Sequence, residues 1–264
     1  MAFEIETKQL DKVDLTDDYI FKEAIRITEE ASKRNILVRL IGSTAFVFHC
    51  PAHRELFKKF NRRLTDVDLM AYSSVKQSSL DELFKALDYE PIKSLGWHAT
   101  GRDIYVNKEK LYVDVFKDRL HYCHEINFKG RLDLDNPTIS LVDLMLEKLQ
   151  VVEINEKDLK DMAVLLLEHD FGSGDPEKVD YDYLAGLWAK DWGFYYTGTT
   201  NLKKLQNYIG SNEVLSKEQV KTVHDRVNAL LRRVEDEPKS LRWKMRAKIG
   251  TKVRWYEKVE SIER

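Results

Sequence analysis

Two aspartates separated by one residue, Asp66 and Asp68, lie in the stretch 62-RRLTDVDLM-70. The apolar residues around them predict a buried strand over residues 66–72. Since side chains two positions apart in a strand share a face, the two carboxylates would lie side by side. Neighbouring carboxylates raise each other's pKa and destabilise a fold unless a positive group lies between them. We therefore expect this strand to face a divalent cation.

Composition favours a folded protein of the reducing cytoplasm. The chain has 264 residues, of which 43% are hydrophobic and 33% charged, enough for one large globular unit or two modest domains. Its two cysteines are too few for a disulfide framework and do not form a Cys-x-x-Cys pair. The charged N-terminus lacks the apolar core of a signal peptide, and no apolar run is long enough for a membrane span. We expect a cytoplasmic protein with no membrane partner.

The hydrophobic pattern predicts an α/β body followed by a helical remainder. Helical spacing is found in residues 17–35, in 43–60 with an interruption at Pro51, and in 80–89. Strand patterns occupy 36–42, 66–72 and two segments within 102–116. Helical periodicity then marks 140–152, 156–170, 177–190 and 216–237. We divide the chain into a first domain, residues 1–135, and a helical C-terminal domain, residues 136–264.

A glycine–serine pair, Gly42-Ser43, joins the first predicted strand to its helix. The first turn of a helix has free N–H groups and a positive dipole end, which together favour a phosphate. Glycine allows the backbone to approach such a ligand closely, and the hydroxyls of Ser43 and Thr44 add hydrogen-bond donors. This turn is a candidate phosphate-binding site.

A third carboxylate, Asp114, lies in the predicted strand 111-LYVDVF-116. If its strand neighbours the one that carries Asp66 and Asp68, the three carboxylates converge near the glycine–serine turn. Carboxylates that face a phosphate need a bridging cation, and Mg²⁺ prefers hard oxygen ligands from one or two carboxylates together with substrate phosphates. The sequence thus predicts a magnesium and phosphate site.

These motifs resemble those of the polymerase-β-like nucleotidyltransferase superfamily. The counterparts of the superfamily pattern are 41-IGS-43, 65-TDVDL-69 and 113-VDV-115. Within the superfamily the resemblance is closest to the AbiEii-like toxins of type IV toxin–antitoxin systems, whose later motifs look like 144-LMLEKLQ-150 and 157-KDLKD-161. The resemblance covers residues 17–170, and the C-terminal third matches no pattern of that family.

The resemblance implies a nucleotidyltransferase-type mixed sheet flanked by helices. It also implies an enzyme that transfers NMP from an NTP to a hydroxyl acceptor and releases pyrophosphate. Asp66, Asp68 and Asp114 would be catalytic and would hold Mg²⁺, and Lys148 would pair with the triphosphate that the glycine–serine turn holds. Residues 1–135 would form the catalytic domain, and the helices up to about residue 170 would complete its site.

The acceptor stays open at this point. The AbiEii-like resemblance implies the 3′ end of a tRNA and an antitoxin partner protein. A small hydroxylated molecule of the aminoglycoside type is a second choice. A nucleotide-binding or RNA-binding module without turnover is the alternative from a different functional class.

The C-terminal segment is basic although the chain has a formal net charge of −2. Residues 239–255 contain seven lysines and arginines and no acidic residue, with Trp243 and Trp255 among them. Basic side chains neutralise phosphates and aromatic rings stack on bases, so the basic tail, residues 239–264, is a candidate RNA-binding segment. The alternative is an amphipathic surface helix whose tryptophans face the core.

Overall fold

The structure is a computed structural model that describes residues 15–92, 102–174 and 176–258. Its helices are α1 (Asp17–Lys33), α2 (Gly42–His49), α3 (Arg54–Lys59), α4 (Gln77–Ala86), α5 (Leu141–Leu149), α6 (Glu156–Glu168), α7 (Tyr181–Trp188), α8 (Trp192–Gly210), α9 (Lys217–Asp236) and α10 (Leu241–Ile249). Its strands are β1 (Val38–Ile41), β2 (Val67–Ala71), β3 (Tyr89–Pro91), β4 (Arg102–Asn107), β5 (Tyr112–Lys117), β6 (Arg119–His121) and β7 (Glu125–Asn127). The α/β fold followed by a helical C-terminal part is confirmed.

A five-stranded mixed sheet in the order β1-β2-β5-β4-β3 forms the centre of the first half. Strands β2 and β5 are parallel, and the other neighbours in this sheet are antiparallel. A short segment after residue 136 continues the sheet beside β1, since Leu40 N–H donates to the carbonyl of Pro137 and Ile139 N–H donates to that of Leu40. Strands β6 and β7 form a separate hairpin.

Helix α2 is buried nearly all round, which follows from its apolar sequence GSTAFVFH. It packs on β1 and β2 on one side and on α1, α5 and α6 on the others. Because α2 begins directly after β1, its first residue, Gly42, is fixed at the end of a strand that pairs with β2. Helix α2 is therefore the element that holds the turn against the carboxylate strands.

The C-terminal helices share one continuous buried cluster with the sheet and α1. Helix α9 shows how they attach: its buried residues Val223, Val227, Leu230 and Val234 recur at helical spacing on one face. A capping box between Ser216 and Gln219 starts this helix. The division of the chain at residue 135 stays a prediction. Within the described residues, no helix has the length and apolar character that crossing a membrane requires.

Helix α8, Trp192–Gly210, is an element that the periodicity of the sequence did not single out. Two glycines, Gly193 and Gly198, and several threonines lower the helix propensity of this segment. Tertiary packing explains the glycine at 198, since an added Cβ there would lie 2.1 Å from the ring of Trp188. Asp191 caps the helix by accepting a hydrogen bond from the N–H of Phe194.

Candidate functional site

Asp68 and Asp114 lie opposite each other on neighbouring parallel strands, β2 and β5. Asp66 precedes Asp68 by two residues, just before β2 begins. On the other side of β2, Ile41 at the end of β1 pairs with Asp68. Asp68 and Asp114 therefore lie side by side next to the Gly42 turn, and Asp66 lies two residues ahead of Asp68. That all three carboxylates form one site stays a prediction.

Gly42 packs directly against the Asp68 carboxylate. Its φ is +63°, and an added Cβ would lie 2.7 Å from Asp68 Oδ2, so a side chain would be both strained and obstructed. Ser43 and Thr44 follow in the first turn of α2 and are both buried. The Thr44 hydroxyl donates to the carbonyl of Ile41 at 3.5 Å, so its side chain is directed back to β1. The N–H groups of this turn, rather than the Thr44 hydroxyl, are the donors suited to a phosphate.

Excess negative charge at Asp68 is the main electrostatic feature of the site. Burial and the nearby carboxylates of Asp66, Asp114 and Glu147 raise the pKa of Asp68 well above its usual range, and Lys148 opposes them only in part. Burial is the largest of these causes, and the neighbouring carboxylates add to it. A bound cation would supply opposing positive charge.

The donor set fits Mg²⁺ when substrate oxygens complete the coordination. Across the described ranges, no three His, Cys, Asp or Glu side chains form a group that could hold a metal ion by themselves. Asp114 is 3% exposed, and its Oδ2 accepts a 3.1 Å hydrogen bond from Arg102 Nη1. Asp66 and Asp68 are the half-buried pair next to the turn. One or two carboxylates with phosphates and waters are the usual set for Mg²⁺.

Lys148, on α5, belongs to a buried charge network. Its Nζ is 2.9 Å from Asp158 Oδ1 and 3.3 Å from Asp161 Oδ2. Burial lowers the pKa of Lys148, but these two carboxylates outweigh it and the net shift is upward. Asp161 also accepts two hydrogen bonds from Arg62, at 2.8 and 2.9 Å. Lys148 is thus a fixed cation, charged at any physiological pH.

Sequence analysis missed two residues of the site, Glu147 and Tyr122. Glu147 is 6% exposed, and its Oε2 accepts a 3.0 Å hydrogen bond from the N–H of Gly42. Tyr122 lies close enough to the cluster that burial, and then the charge of Asp68, raise the pKa of its phenol. The sequence signal for Glu147 was a glutamate inside the apolar run 141-LVDLMLEKL-149. Nothing in the sequence around Tyr122 marks that residue.

The basic tail packs its tryptophans inward. The Trp243 ring lies edge-on to Tyr195 with centroids 5.1 Å apart, and Trp255 Nε1 donates to Thr197 Oγ1 at 3.0 Å. Both contacts are with α8, the helix that sequence analysis did not assign. The described part of the segment therefore corresponds to the surface-helix alternative, with its rings turned towards the protein and most of its lysines and arginines exposed.

Comparison with known proteins gives likenesses to solved structures alone. No family model matches the chain, and no curated protein matches it. The antibiotic-resistance factor ANT(2'')-Ia aligns with 11% identity and a TM-score of 0.39, over 57% of this chain and 84% of its own. An antigenic nucleotidyltransferase-like protein from Paracoccidioides brasiliensis aligns with 13% identity and a TM-score of 0.41, over 86% of this chain and 96% of its own. Identities this low concern the fold alone.

Proposed function

We propose that this chain is a Mg²⁺-dependent nucleotidyltransferase that transfers NMP from an NTP to a hydroxyl acceptor. The observation that carries the proposal is the placement of Gly42 against Asp68 while Asp68 lies opposite Asp114. Carboxylates for a cation and a helix start for a phosphate thus occupy the same point. A site built only for stability would not collect negative charge there.

Asp66 and Asp68 would hold Mg²⁺, with Asp114 beside them on β5. When bound, the cation would stabilise negative charge on the attacking and leaving oxygens during displacement at the α-phosphate. Its presence would also lower the repulsion that raises the Asp68 pKa.

The remaining roles belong to side chains and N–H groups of this chain. The N–H groups of Ser43 and Thr44 would bind the β- and γ-phosphates at the start of α2. Lys148 would stabilise the departing pyrophosphate as a fixed positive charge. Asp114 would accept the proton of the acceptor hydroxyl, and its hydrogen bond from Arg102 would keep the carboxylate oriented.

For the acceptor we propose the 3′ end of a tRNA, as in AbiEii-like toxins, with action in the cytoplasm and with an antitoxin as the opposing protein. Support comes from the basic side chains of α10 and the turn after it, of which Arg242, Lys244, Lys248, Lys252 and Arg254 are exposed. Exposed cations on one short segment suit a phosphate backbone. Because Trp243 and Trp255 pack against α8, we expect the basic side chains, and not these two rings, to contact the RNA.

The test is a labelling reaction with Mg²⁺, each α-labelled NTP in turn and total tRNA, separated on a denaturing gel. Asp66→Asn is the inactive variant. Asp88→Asn is its matched control, because Asp88 is exposed in the turn before the far edge strand and its positive φ of 64° is one that asparagine tolerates. Label on tRNA with the wild type and Asp88→Asn, but not with Asp66→Asn, supports the proposal.

Other outcomes separate the alternatives. Label on a small hydroxylated molecule added in place of tRNA would keep the transferase and replace its acceptor. Mg²⁺-dependent NTP binding by calorimetry without label on any acceptor would favour a binding module. Equal label with Asp66→Asn would overturn the assignment of the site.

A further inference from the structure

One buried acidic group in the site has no role in the reaction proposed above. Glu147 on α5 is 6% exposed, and its Oε1 has no hydrogen-bond partner among the described residues. Burying a carboxylate with one oxygen unsatisfied destabilises a protein. An apolar residue would suit this position of α5 better if stability alone were involved, so the carboxyl group points to another role.

Glu147 holds one side of the Gly42 turn. Its Oε2 accepts the Gly42 N–H at 3.0 Å, while the Asp68 carboxylate lies against the Cα of the same glycine. Gly42 therefore contacts Asp68 of β2 on one side and Glu147 of α5 on the other. Its φ of +63° lies in the left-handed region that glycine adopts without strain.

The same residue also connects the turn to the fixed cation. Glu147 is the chain neighbour of Lys148, whose Nζ is held by Asp158 and Asp161 on α6. A shift of the turn relative to α5 would change the distance between Lys148 and the N–H groups of Ser43 and Thr44. A triphosphate that contacts both needs that distance to be constant.

We propose that Glu147 is a positioning residue that braces the Gly42 turn against α5, so that the phosphate-binding N–H groups and Lys148 stay in register. The effect of this contact on phosphate binding rests on the proposed function. The hydrogen bond between Glu147 on α5 and the Gly42 turn does not depend on it. By taking up the Gly42 N–H, Glu147 leaves the following N–H groups of the turn to the substrate.

The ionisation of Glu147 agrees with such a role. Burial raises its pKa to about 8, although Lys148 and the Gly42 N–H act in the opposite direction. Near neutral pH the carboxyl group is then largely protonated and accepts the hydrogen bond without adding a full negative charge beside a polyanion.

Two variants separate the brace from its alternatives. Glu147→Gln keeps an oxygen that accepts the Gly42 N–H, and Glu147→Met fills a similar volume without a strong acceptor. Asp143→Asn is the matched control, because Asp143 is a fully buried carboxylate on the same helix that binds Arg131 and Ser140 instead of the turn.

The first readout is independent of any reaction: hydrogen exchange of the Gly42 amide, followed by NMR in protein labelled with ¹⁵N-glycine, of which the chain has 11 residues. We expect exchange at Gly42 to accelerate at least ~10-fold in Glu147→Met, in line with loss of a hydrogen bond to a carboxyl group. Glu147→Gln and Asp143→Asn should stay close to wild type at this amide.

The second readout is the transfer reaction. Glu147→Met should raise the KM for the NTP by ~10-fold to ~100-fold, with a smaller change in kcat. In Glu147→Gln the KM should stay close to the wild-type value. Unchanged Gly42 exchange in Glu147→Met would overturn the brace, and so would tighter NTP binding, which would make Glu147 an internal competitor of phosphate. If exchange changes as expected but the wild type transfers nothing, the brace holds and the proposed function fails.

Discussion

Lys148 Nζ lies 3.3 Å from Asp161 Oδ2, and the same carboxylate accepts two hydrogen bonds from the Arg62 guanidinium. Asp161 is 1% exposed and neutralises two cations inside the protein. Asp161→Asn should therefore lower the free energy of unfolding by ~3–5 kcal/mol, because Arg62 is left buried without a charge partner. Asp158→Asn, which leaves the Arg62 pair intact, should cost less, and equal losses in chemical denaturation would contradict this account.

Lys148 itself should matter more for catalysis than for folding. In the proposed reaction, Lys148→Ala removes the positive charge that would stabilise the departing pyrophosphate, and we expect kcat/KM for transfer to fall by ~100-fold or more. Part of the charge on Asp161 stays compensated by Arg62, which limits the loss of stability. Single-turnover transfer and the melting temperature are measured on the same preparation. Wild-type rates in a folded Lys148→Ala protein would remove Lys148 from the site.

Gly42→Ala should be more harmful than the same change at another glycine with positive φ. Gly130 is the matched control: its φ is +70° and an added Cβ would meet nothing within 4 Å, whereas at Gly42 it would meet Asp68 Oδ2 at 2.7 Å. Gly130→Ala should cost ~1–2 kcal/mol of stability from backbone strain alone. Gly42→Ala should cost more and should also abolish NTP binding by calorimetry. Equal effects would mean that Asp68 moves away without consequence.

Stability should depend on pH through Glu147. Its pKa is about 8 in the folded protein against an ordinary value of 4.5, mainly because of burial, so the folded state binds the proton more tightly than the unfolded state. The stabilisation linked to this proton is complete below about pH 4.5 and is lost as pH rises through about 8.

Glu147→Gln removes that dependence. Relative to wild type, the variant should gain stability steadily between about pH 5 and pH 8, by a few kcal/mol in total, in urea denaturation curves at each pH. Asp143→Asn serves as the comparison: burial raises the pKa of Asp143 too, so this variant shows the pH dependence that comes from a buried carboxyl group without a contact to Gly42. If the difference in the free energy of unfolding between Glu147→Gln and wild type does not change with pH, the pKa of Glu147 is the same in the folded and unfolded states.

The exposed cations of α10 can be tested without disturbing its packing. Replacing Arg242, Lys244 and Lys248 by glutamine should weaken tRNA binding and lower the slope of log K against log salt by up to ~0.7–0.9 for each phosphate that is no longer neutralised. A triple glutamine variant at Lys203, Lys217 and Lys221, exposed lysines of α8 and α9, is the control. Equal slopes in the two variants would indicate that α10 has no special share in RNA binding.

Local pattern was enough to predict the strands that carry Asp68 and Asp114, because apolar residues surround each carboxylate in a strand-forming segment, whereas Asp66 lies just outside β2. It could not reveal α8, whose glycines and threonines oppose helix formation and whose stability comes from contacts such as that of Gly198 with Trp188. Whether the three carboxylates bind a cation stays a prediction.

Contacts between residues far apart in the chain explain the other differences between the sequence-based prediction and the structure. Glu147 enters the site through a hydrogen bond to Gly42, and the two residues are 105 positions apart in the chain. The tryptophans of the basic tail turn inward because α8 offers Tyr195 and Thr197 as partners. Periodicity within a segment reports which face is apolar, but it does not report which segment will cover that face.

The parallel pairing of β2 with β5 has a consequence for the order of folding. Gly42, Asp68, Asp114 and Lys148 come from four separate elements, and the strands that align two of them are joined through α4, β3 and β4. Contacts between residues so distant in sequence form late, since the chain loses much of its entropy before they are made. Partly folded forms would therefore lack the pairing of Asp68 with Asp114, and Gly42, the two carboxylates and Lys148 would come together only after α5 had packed on α2.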